Sequence, residues 1–337
     1  MASGCRVGLY TSPHLVTVRE RMLVDGTPIS EATFAIWATR LEEAIEATGA
    51  SFFEATTAIA LADFAARGID IAVVEVGLGG RLDSTNVLDP LVSAVTGVTL
   101  EHTEYLGCSL EGIAREKAGI AKPGRPFVIG EQDPALATVM EEVALDAGAK
   151  VLRVPPREQY GGLLGLKGEH QRRNAAVAAR VLQALPDDWQ PDATAIARGF
   201  ARARLPGRFD TRGKWIFDVA HNASGMSTLV AALRDVQPRQ PRHALVGILG
   251  DKNWREMLAL LNAEVDRLWV SIPPTAPPDR GWPLEEVREA FPDAMVEPDF
   301  GAALENVQRG AATVVVTGSF HTVGDAMARL PGFPPLG

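Results

Sequence analysis

The chain has 337 residues, 46% of them hydrophobic, and its 33 Lys and Arg against 42 Asp and Glu give a net charge of -9. That balance excludes a nucleic-acid-binding surface, which needs a basic stripe, so any small anionic ligand must find local cations. No apolar run reaches the roughly 18 to 20 residues that span a bilayer, and the start M-A-S-G-C-R-V-G lacks the apolar core of a signal peptide. Cys5 and Cys108 lie far apart without metal-ligand spacing. The expectation is a cytoplasmic monomer of two domains, working on small molecules with no nucleic-acid or membrane partner.

In chain order, apolar strand-like runs alternate with helical patterns, which predicts an α/β fold of mainly parallel sheets covered by helices. The first part reads as strands at 6–10, 71–75, 91–98, 126–129 and 150–154. Ser51 and Glu54 have capping-box spacing ahead of an apolar run, so Glu54 reads either as a cap or as a ligand-facing carboxylate. An alanine-rich helix at 170–185 is followed by Leu205-Pro206-Gly207, which breaks the pattern as a hinge would and divides the chain into domains 1–206 and 207–337. The second part reads as strands at 215–219, 243–248, 267–272 and 313–317. Its helices fall at 226–236, 254–262, 284–291 and 302–309, with a short one from Gly324.

The stretch 74–86, V-E-V-G-L-G-G-R-L-D-S-T-N, carries the most chemistry. Glu75 emerges at the carboxyl end of a buried strand, where open α/β sheets bind ligands. Gly77, Gly79 and Gly80 permit close backbone approach to an oxyanion, Arg81 offers a planar fork for a carboxylate or phosphate, and Asp83 to Asn86 add short polar groups. The stretch reads as a site for a divalent cation and an anionic ligand; a turn whose glycines serve only geometry is the alternative.

Five of the six histidines lie in polar strand-end motifs: His14, His102, His170, His221 and His321. His102 has a partner in Glu75, since both follow apolar strands expected in one parallel sheet, although magnesium prefers oxygen ligands. Lys117, in R-E-K-A-G-I, reads as a partly buried lysine, either paired with Glu116 or neutral enough to take up carbon dioxide as a carbamate. Asp218, in D-V-A-H-N, is placed to accept from a ribose hydroxyl or to orient His221, and Arg208 could reach a phosphate. Strand ends at 250–253 and 318–321 are expected to face the same cleft.

Nearly end to end, the chain resembles the folylpolyglutamate synthase and dihydrofolate synthase family of the Mur ligase superfamily. The resemblance rests on Y-T-S-P-H-L from Tyr10, F-F-E-A-T-T from Phe52, E-V-G-L-G-G-R-L-D-S-T-N from Glu75, E-H-T-E-Y-L-G from Glu101, R-E-K-A-G-I from Arg115, H-Q-R-R-N-A-A from His170, L-P-G-R-F from Leu205, D-V-A-H-N from Asp218 and G-S-F-H-T-V from Gly318. It implies a Mur-ligase-type central ATPase domain followed by a Rossmann-like α/β domain. The implied activity is ATP- and magnesium-dependent addition of glutamate to a pteroate or folate carboxylate through an acyl phosphate.

By family position, Glu75 and His102 look like magnesium ligands and Lys117 like the lysine that becomes carbamylated to support metal and phosphate. Asn174, Arg208, Asp218 and His221 look like nucleotide contacts. Arg81, Asp83 and the loop Ser12-Pro13-His14 look like pterin-side groups, and Ser319 and His321 like further substrate contacts. The G-G-R-L-D form resembles bacterial bifunctional enzymes.

The family's opening strand, G-T-N-G-K-G-S loop and helix have no counterpart in this sequence, and no G-x-x-x-x-G-K-[ST] occurs in it. The expectation is therefore a sheet lacking an interior strand and its phosphate cradle, in either a late-starting ligase or a family member that binds folate or nucleotide without turnover. Glu101 stands where the family usually has aspartate, and Ala223 where proline commonly follows. An oxidoreductase reading fails, because G-x-G-x-x-G is not met after Val76.

Overall fold

The computed structural model describes residues 1–100 and 103–333. They form two compact units, one of 1–12, 21–100, 103–164 and 170–202, the other of 13–20, 165–169 and 203–333. The second unit thus collects two short excursions that the sequence reading assigns to the first domain. For 13–20 the reason is packing: Leu15 lies against the apolar cluster that holds Val219 and Val323, and Gly324 admits its backbone where any Cβ would collide with the Leu15 carbonyl.

The first unit runs β1 (Val7–Tyr10), β2 (Met22–Val24), β3 (Thr27–Pro28), α1 (Glu31–Thr48), α2 (Phe52–Ala66), β4 (Ile71–Val74), β5 (Ser93–Val95), α3 (Thr103–Leu106), α4 (Leu110–Ala118), β6 (Pro126–Ile129), α5 (Pro134–Asp146), β7 (Lys150–Arg153), α6 (Glu169–Gln183) and α7 (Ala193–Arg202). β2 and β3 form a hairpin closed by Asp25-Gly26, both at positive φ. That is the turn geometry D-G favours. Ser51 and Glu54 complete the capping box of α2 reciprocally, so Glu54 takes the cap role.

The expectation of one parallel sheet is corrected. The strands form a four-stranded sheet in the order β3-β2-β1-β4 and a separate three-stranded parallel sheet β5-β6-β7. Among the described residues β4 pairs only with β1 and β5 only with β6, so no ladder joins them. β4 is accordingly an edge strand, and Val73 is 54% exposed. In β6 the period of two is clean. Phe127 and Ile129 pack against α4 and α5, and Val128 against α6.

The second unit runs β8 (Asp210–Arg212), β9 (Trp215–Phe217), α8 (Ala223–Val236), β10 (Arg242–Val246), α9 (Trp254–Asn262), β11 (Arg267–Val270), α10 (Leu284–Ala290), β12 (Met295–Val296), α11 (Phe300–Val307), β13 (Thr313–Thr317) and α12 (Phe320–Arg329). Its sheet order is β12-β11-β10-β13-β9-β8, parallel except for the β8 edge. Ala244, Val246 and Val315 face α8 and α9, whereas Leu245, Val314 and Val316 face α11 and α12. The unit is doubly wound, and β13 lies between β9 and β10, which brings the carboxyl ends of these three strands side by side at a switch of strand order.

Arg173 fastens the carboxyl ends of β6 and β7 to α6. Its guanidinium, 8% exposed, donates to the carbonyls of Gly130, Val154, Pro155 and Glu158. Burial lowers its pKa, opposed by the charges of Glu158 and Glu131. Arg173→Met, which strips four carbonyls of a donor, is expected to cost about 3 kcal/mol or more in urea unfolding, against about 1 kcal/mol for loss of the cap in Ser51→Ala; equal costs would count against the fastener. The bare apolar edge of β4 is expected to make the isolated chain self-associate. Val73→Lys should shift its sedimentation toward monomer without moving the urea midpoint, and an unchanged sedimentation profile would contradict this.

Candidate active site

At the carboxyl ends of β1 and β4, the apolar run of β4 hands over to Glu75, whose backbone N–H is taken by the Tyr10 carbonyl and whose Oε2 accepts from the Ser12 N–H at 2.7 Å. Behind it the Tyr10 hydroxyl, buried, joins the Thr56 and Thr57 hydroxyls at 3.1 and 3.0 Å, and Thr57 continues to Ser84 at 3.0 Å. Arg21 is buried against this group and stacks on the Phe52 ring. Burial lowers its pKa, opposed by a hydrogen bond with Tyr10 and by the charge of Glu75. An acid at the end of a short apolar strand thus has a cation and a hydroxyl chain around it.

The glycine loop that follows is shaped by Asp83. Its Oδ2 accepts from the N–H groups of Gly77 and Leu78, each at 3.0 Å, and its Oδ1 from the N–H and hydroxyl of Thr85. The side chain therefore serves the loop itself. Gly79 sits at φ 67, and Gly80 lies so close to the Glu116 and Lys117 carbonyls that a Cβ would stand 2.8 and 3.0 Å from them. The loop docks on the end of α4 in this way, and the Arg81 guanidinium grips Glu116 Oε1 through Nε and Nη2 at 3.0 and 2.9 Å.

Glu116 is thus the partner of Arg81, not of Lys117. Among the described residues the Lys117 ammonium has no ion-pair or hydrogen-bond partner. The structure brings Arg81, Asp83 and the Lys117 backbone together at this junction. His102 lies outside the described residues. Asn174 is exposed on α6, its amide donating to Gln171 Oε1 at 3.2 Å.

In the second unit the loop 13–17 that carries Pro13 and His14 is held by Glu20, whose carboxylate accepts from the N–H groups of Leu15, Val16 and Thr17. At the end of β9, Asp218 accepts from the N–H groups of Phe209 at 2.8 Å and Ala220 at 2.9 Å. Burial raises its pKa, opposed by these two donors and by Arg208. This carboxylate holds Phe209 at φ 46 and so fixes the preceding Arg208, which lies over the Phe320 ring, 5.2 Å from its centroid. His221 packs on the same ring, and its Nδ1 lies 3.0 Å from the Val219 carbonyl. A carbonyl only accepts, so Nδ1 carries a proton, and in the neutral ring Nε2 is the acceptor.

At the end of β13, Ser319 is 2% exposed and its hydroxyl caps α12 while donating to the Gly247 carbonyl at 2.9 Å. The substrate role expected of Ser319 thus meets a buried hydroxyl engaged inside the fold. His321, half-buried in the first turn of α12, faces Thr275 at 3.0 Å. Sequence reasoning missed Phe320 and Glu20 and gave Glu116 a different partner. Glu116 and Phe320 lie inside motifs already singled out, and Glu20 has only its reach back to the S-P-H-L loop as a signal.

Among the described residues no group of three or more His, Cys, Asp or Glu could hold a metal, and no helix is long and apolar enough to cross a membrane. Residues 207–320 match the family model described as Mur ligase, glutamate ligase domain. The dihydrofolate synthase/folylpolyglutamate synthase of Escherichia coli strain K12 is 34% identical over 348 residues, spanning 97% of this chain and 81% of that protein. The solved structure of E. coli FolC in complex with DHPP and ADP superposes with a TM-score of 0.85 at 33% identity, covering 97% of this chain and 82% of that one. A bifunctional folylpolyglutamate synthase/dihydrofolate synthase with Mn, AMPPNP and L-glutamate bound superposes at 0.82 with 35% identity, covering 97% and 83%. On sequence and fold together, the chain belongs to the folylpolyglutamate synthase/dihydrofolate synthase family of Mur-type ligases.

Proposed function

We propose that the chain joins L-glutamate to the carboxylate of a dihydropteroate or folate, consuming ATP through an acyl phosphate, in the cytoplasm. The observation that carries this reading is the β4 strand end. A carboxylate there stands beside a loop that Asp83 holds in shape, and the loop lies against the helix that bears Lys117, a lysine with no partner among the described residues.

Residues 1–206 would bind nucleotide, metal and the pterin-bearing substrate, and residues 207–337 would serve glutamate. A magnesium ion takes one or two protein carboxylates and keeps its other positions for water and phosphate, so Glu75 would supply one ligand, and by family position His102 and a carbamylated Lys117 would join it. When bound, the ion neutralises charge on the transferring phosphate.

Asn174, Arg208 and His221 would contact the nucleotide, with Asp218 fixing Arg208 and His221 through the backbone it braces. Ser12, Pro13, His14 and Arg81 would line the pterin side, and Asp83 would act by shaping the loop there. His321 would meet glutamate beside the turn that Ser319 caps.

The test is phosphate release with ATP, magnesium, dihydropteroate and glutamate, followed by mass spectrometry of the product. Glutamate-dependent release with a new amide is expected. Glu75→Gln and Lys117→Ala should each lower turnover by about 10²-fold or more with an unchanged circular dichroism spectrum. Calorimetric binding of ATP and dihydropteroate without turnover would replace this reading with that of a non-catalytic binder.

A further inference from the structure

Three residues of the second unit that no motif links form a chain of hydrogen bonds. Asp325, 4% exposed on α12, accepts at Oδ2 from the N–H of Thr275 at 3.0 Å and from its hydroxyl at 3.1 Å. The Thr275 Oγ1 then lies 3.0 Å from His321 Nδ1. A hydroxyl has one proton, and the Asp325 carboxylate takes it. Thr275 Oγ1 must therefore accept from His321, which places a ring proton on Nδ1 and leaves Nε2 the acceptor of the neutral ring.

We propose that Thr275 and Asp325 are positioning residues that fix His321 in the Nδ1–H tautomer, so that its Nε2 takes the proton of the incoming amine. This rests on the ligase reading above for the identity of the amine. Nε2 removes one proton from the glutamate ammonium, and the freed nitrogen lone pair forms the C–N bond to the acyl phosphate carbon. The C–O bond to phosphate breaks with its electron pair, and the second nitrogen proton leaves on the phosphate. The products are the amide, hydrogen phosphate and an imidazolium at His321.

The surroundings favour a neutral ring before the reaction. His321 lies in the first turn of α12, where the helix end carries partial positive charge. Burial lowers its pKa, with Asp325 opposing and Arg280 adding to the decrease. The other charged groups there are Asp251, which clasps Arg280 through both oxygens and also pairs with Lys252, and Arg329, which donates to Asp325 Oδ1 at 3.3 Å. A histidine whose folded pKa is lowered stays mainly neutral at pH 7, and the amine-accepting form is lost as pH falls.

Two readouts on the full chain test this. Nitrogen-15 NMR of labelled histidine, with His321 assigned by its disappearance in His321→Gln, should show a protonated Nδ1 and a bare Nε2. Thr275→Val should mix the tautomers, and Thr275→Ser should restore the parent spectrum. An Nε2–H tautomer in the parent, or an unchanged spectrum in Thr275→Val, overturns the relay.

In the ligation assay Thr275→Val should lower kcat/KM for glutamate about ten- to hundredfold and distort the acid limb of its pH profile. The KM for ATP should stay within about twofold, and Thr275→Ser should recover most of the loss. A glutamate kcat/KM and pH profile equal to the parent's would overturn the proton-accepting role. A parent chain that makes no amide would instead refute the ligase reading, while the tautomer measurement still decides the relay.

Discussion

Backbone N–H groups at the ends of buried strands have no ladder partner, and in this protein carboxylates answer that constraint repeatedly. Glu20 serves three consecutive amides of the loop 13–17, and Glu131 serves those of Val98, Gln132 and Asp133. Asp83 serves the glycine loop, and Asp218 serves the turn that carries Arg208. A carboxylate accepting two or three charge-assisted hydrogen bonds holds irregular backbone as firmly as a ladder holds a strand. Asp218 shows what this costs. With its folded pKa raised by burial, the favourable contribution is present at acid pH and is lost as pH rises through the folded value, so at neutral pH geometry is kept at the expense of stability.

Much of the architecture was legible because periodicity carried it. The strands at 126–129 and 313–317 and the helix at 254–262 are found with the boundaries read from sequence, and the capping box at Ser51 resolves the two readings of Glu54. What failed was long-range. The hairpin at Asp25-Gly26 had a turn signal that was not used, whereas the separation of β4 from β5 depends on which strands find partners, and no local pattern encodes that. The excursion 13–20 joins the second unit because Leu15 finds an apolar cluster more than 200 residues away in sequence.

Site residues followed the same division. Motifs marked strand ends that carry polar clusters, but the partners of the side chains within them were set by neighbours from other elements. Glu116 illustrates this. It precedes Lys117 and could be read as its partner, yet the adjacent Arg81 presents two donors to one Glu116 oxygen while its own N–H binds the Glu116 carbonyl. A planar guanidinium already tethered through its backbone loses less freedom in pairing than a flexible ammonium does, so it wins the carboxylate. The lysine is left without a counter-ion among the described residues.

The two histidines at the ends of β9 and β13 are governed by one rule. His221 has Nδ1 against the Val219 carbonyl and His321 has Nδ1 against a hydroxyl whose own proton is taken, so both present Nε2 as an acceptor. Two acceptors alone would suit a cation and repel an anion. Arg208 supplies a positive charge, and the Phe320 ring, which also contacts the His221 imidazole, lies under that cation. An amino acid carries an ammonium and carboxylates on one small framework, and a nucleotide carries phosphates beside neutral donors. Both need an acceptor and a fixed cation within one site, which is the combination that the ends of β9 and β13 provide.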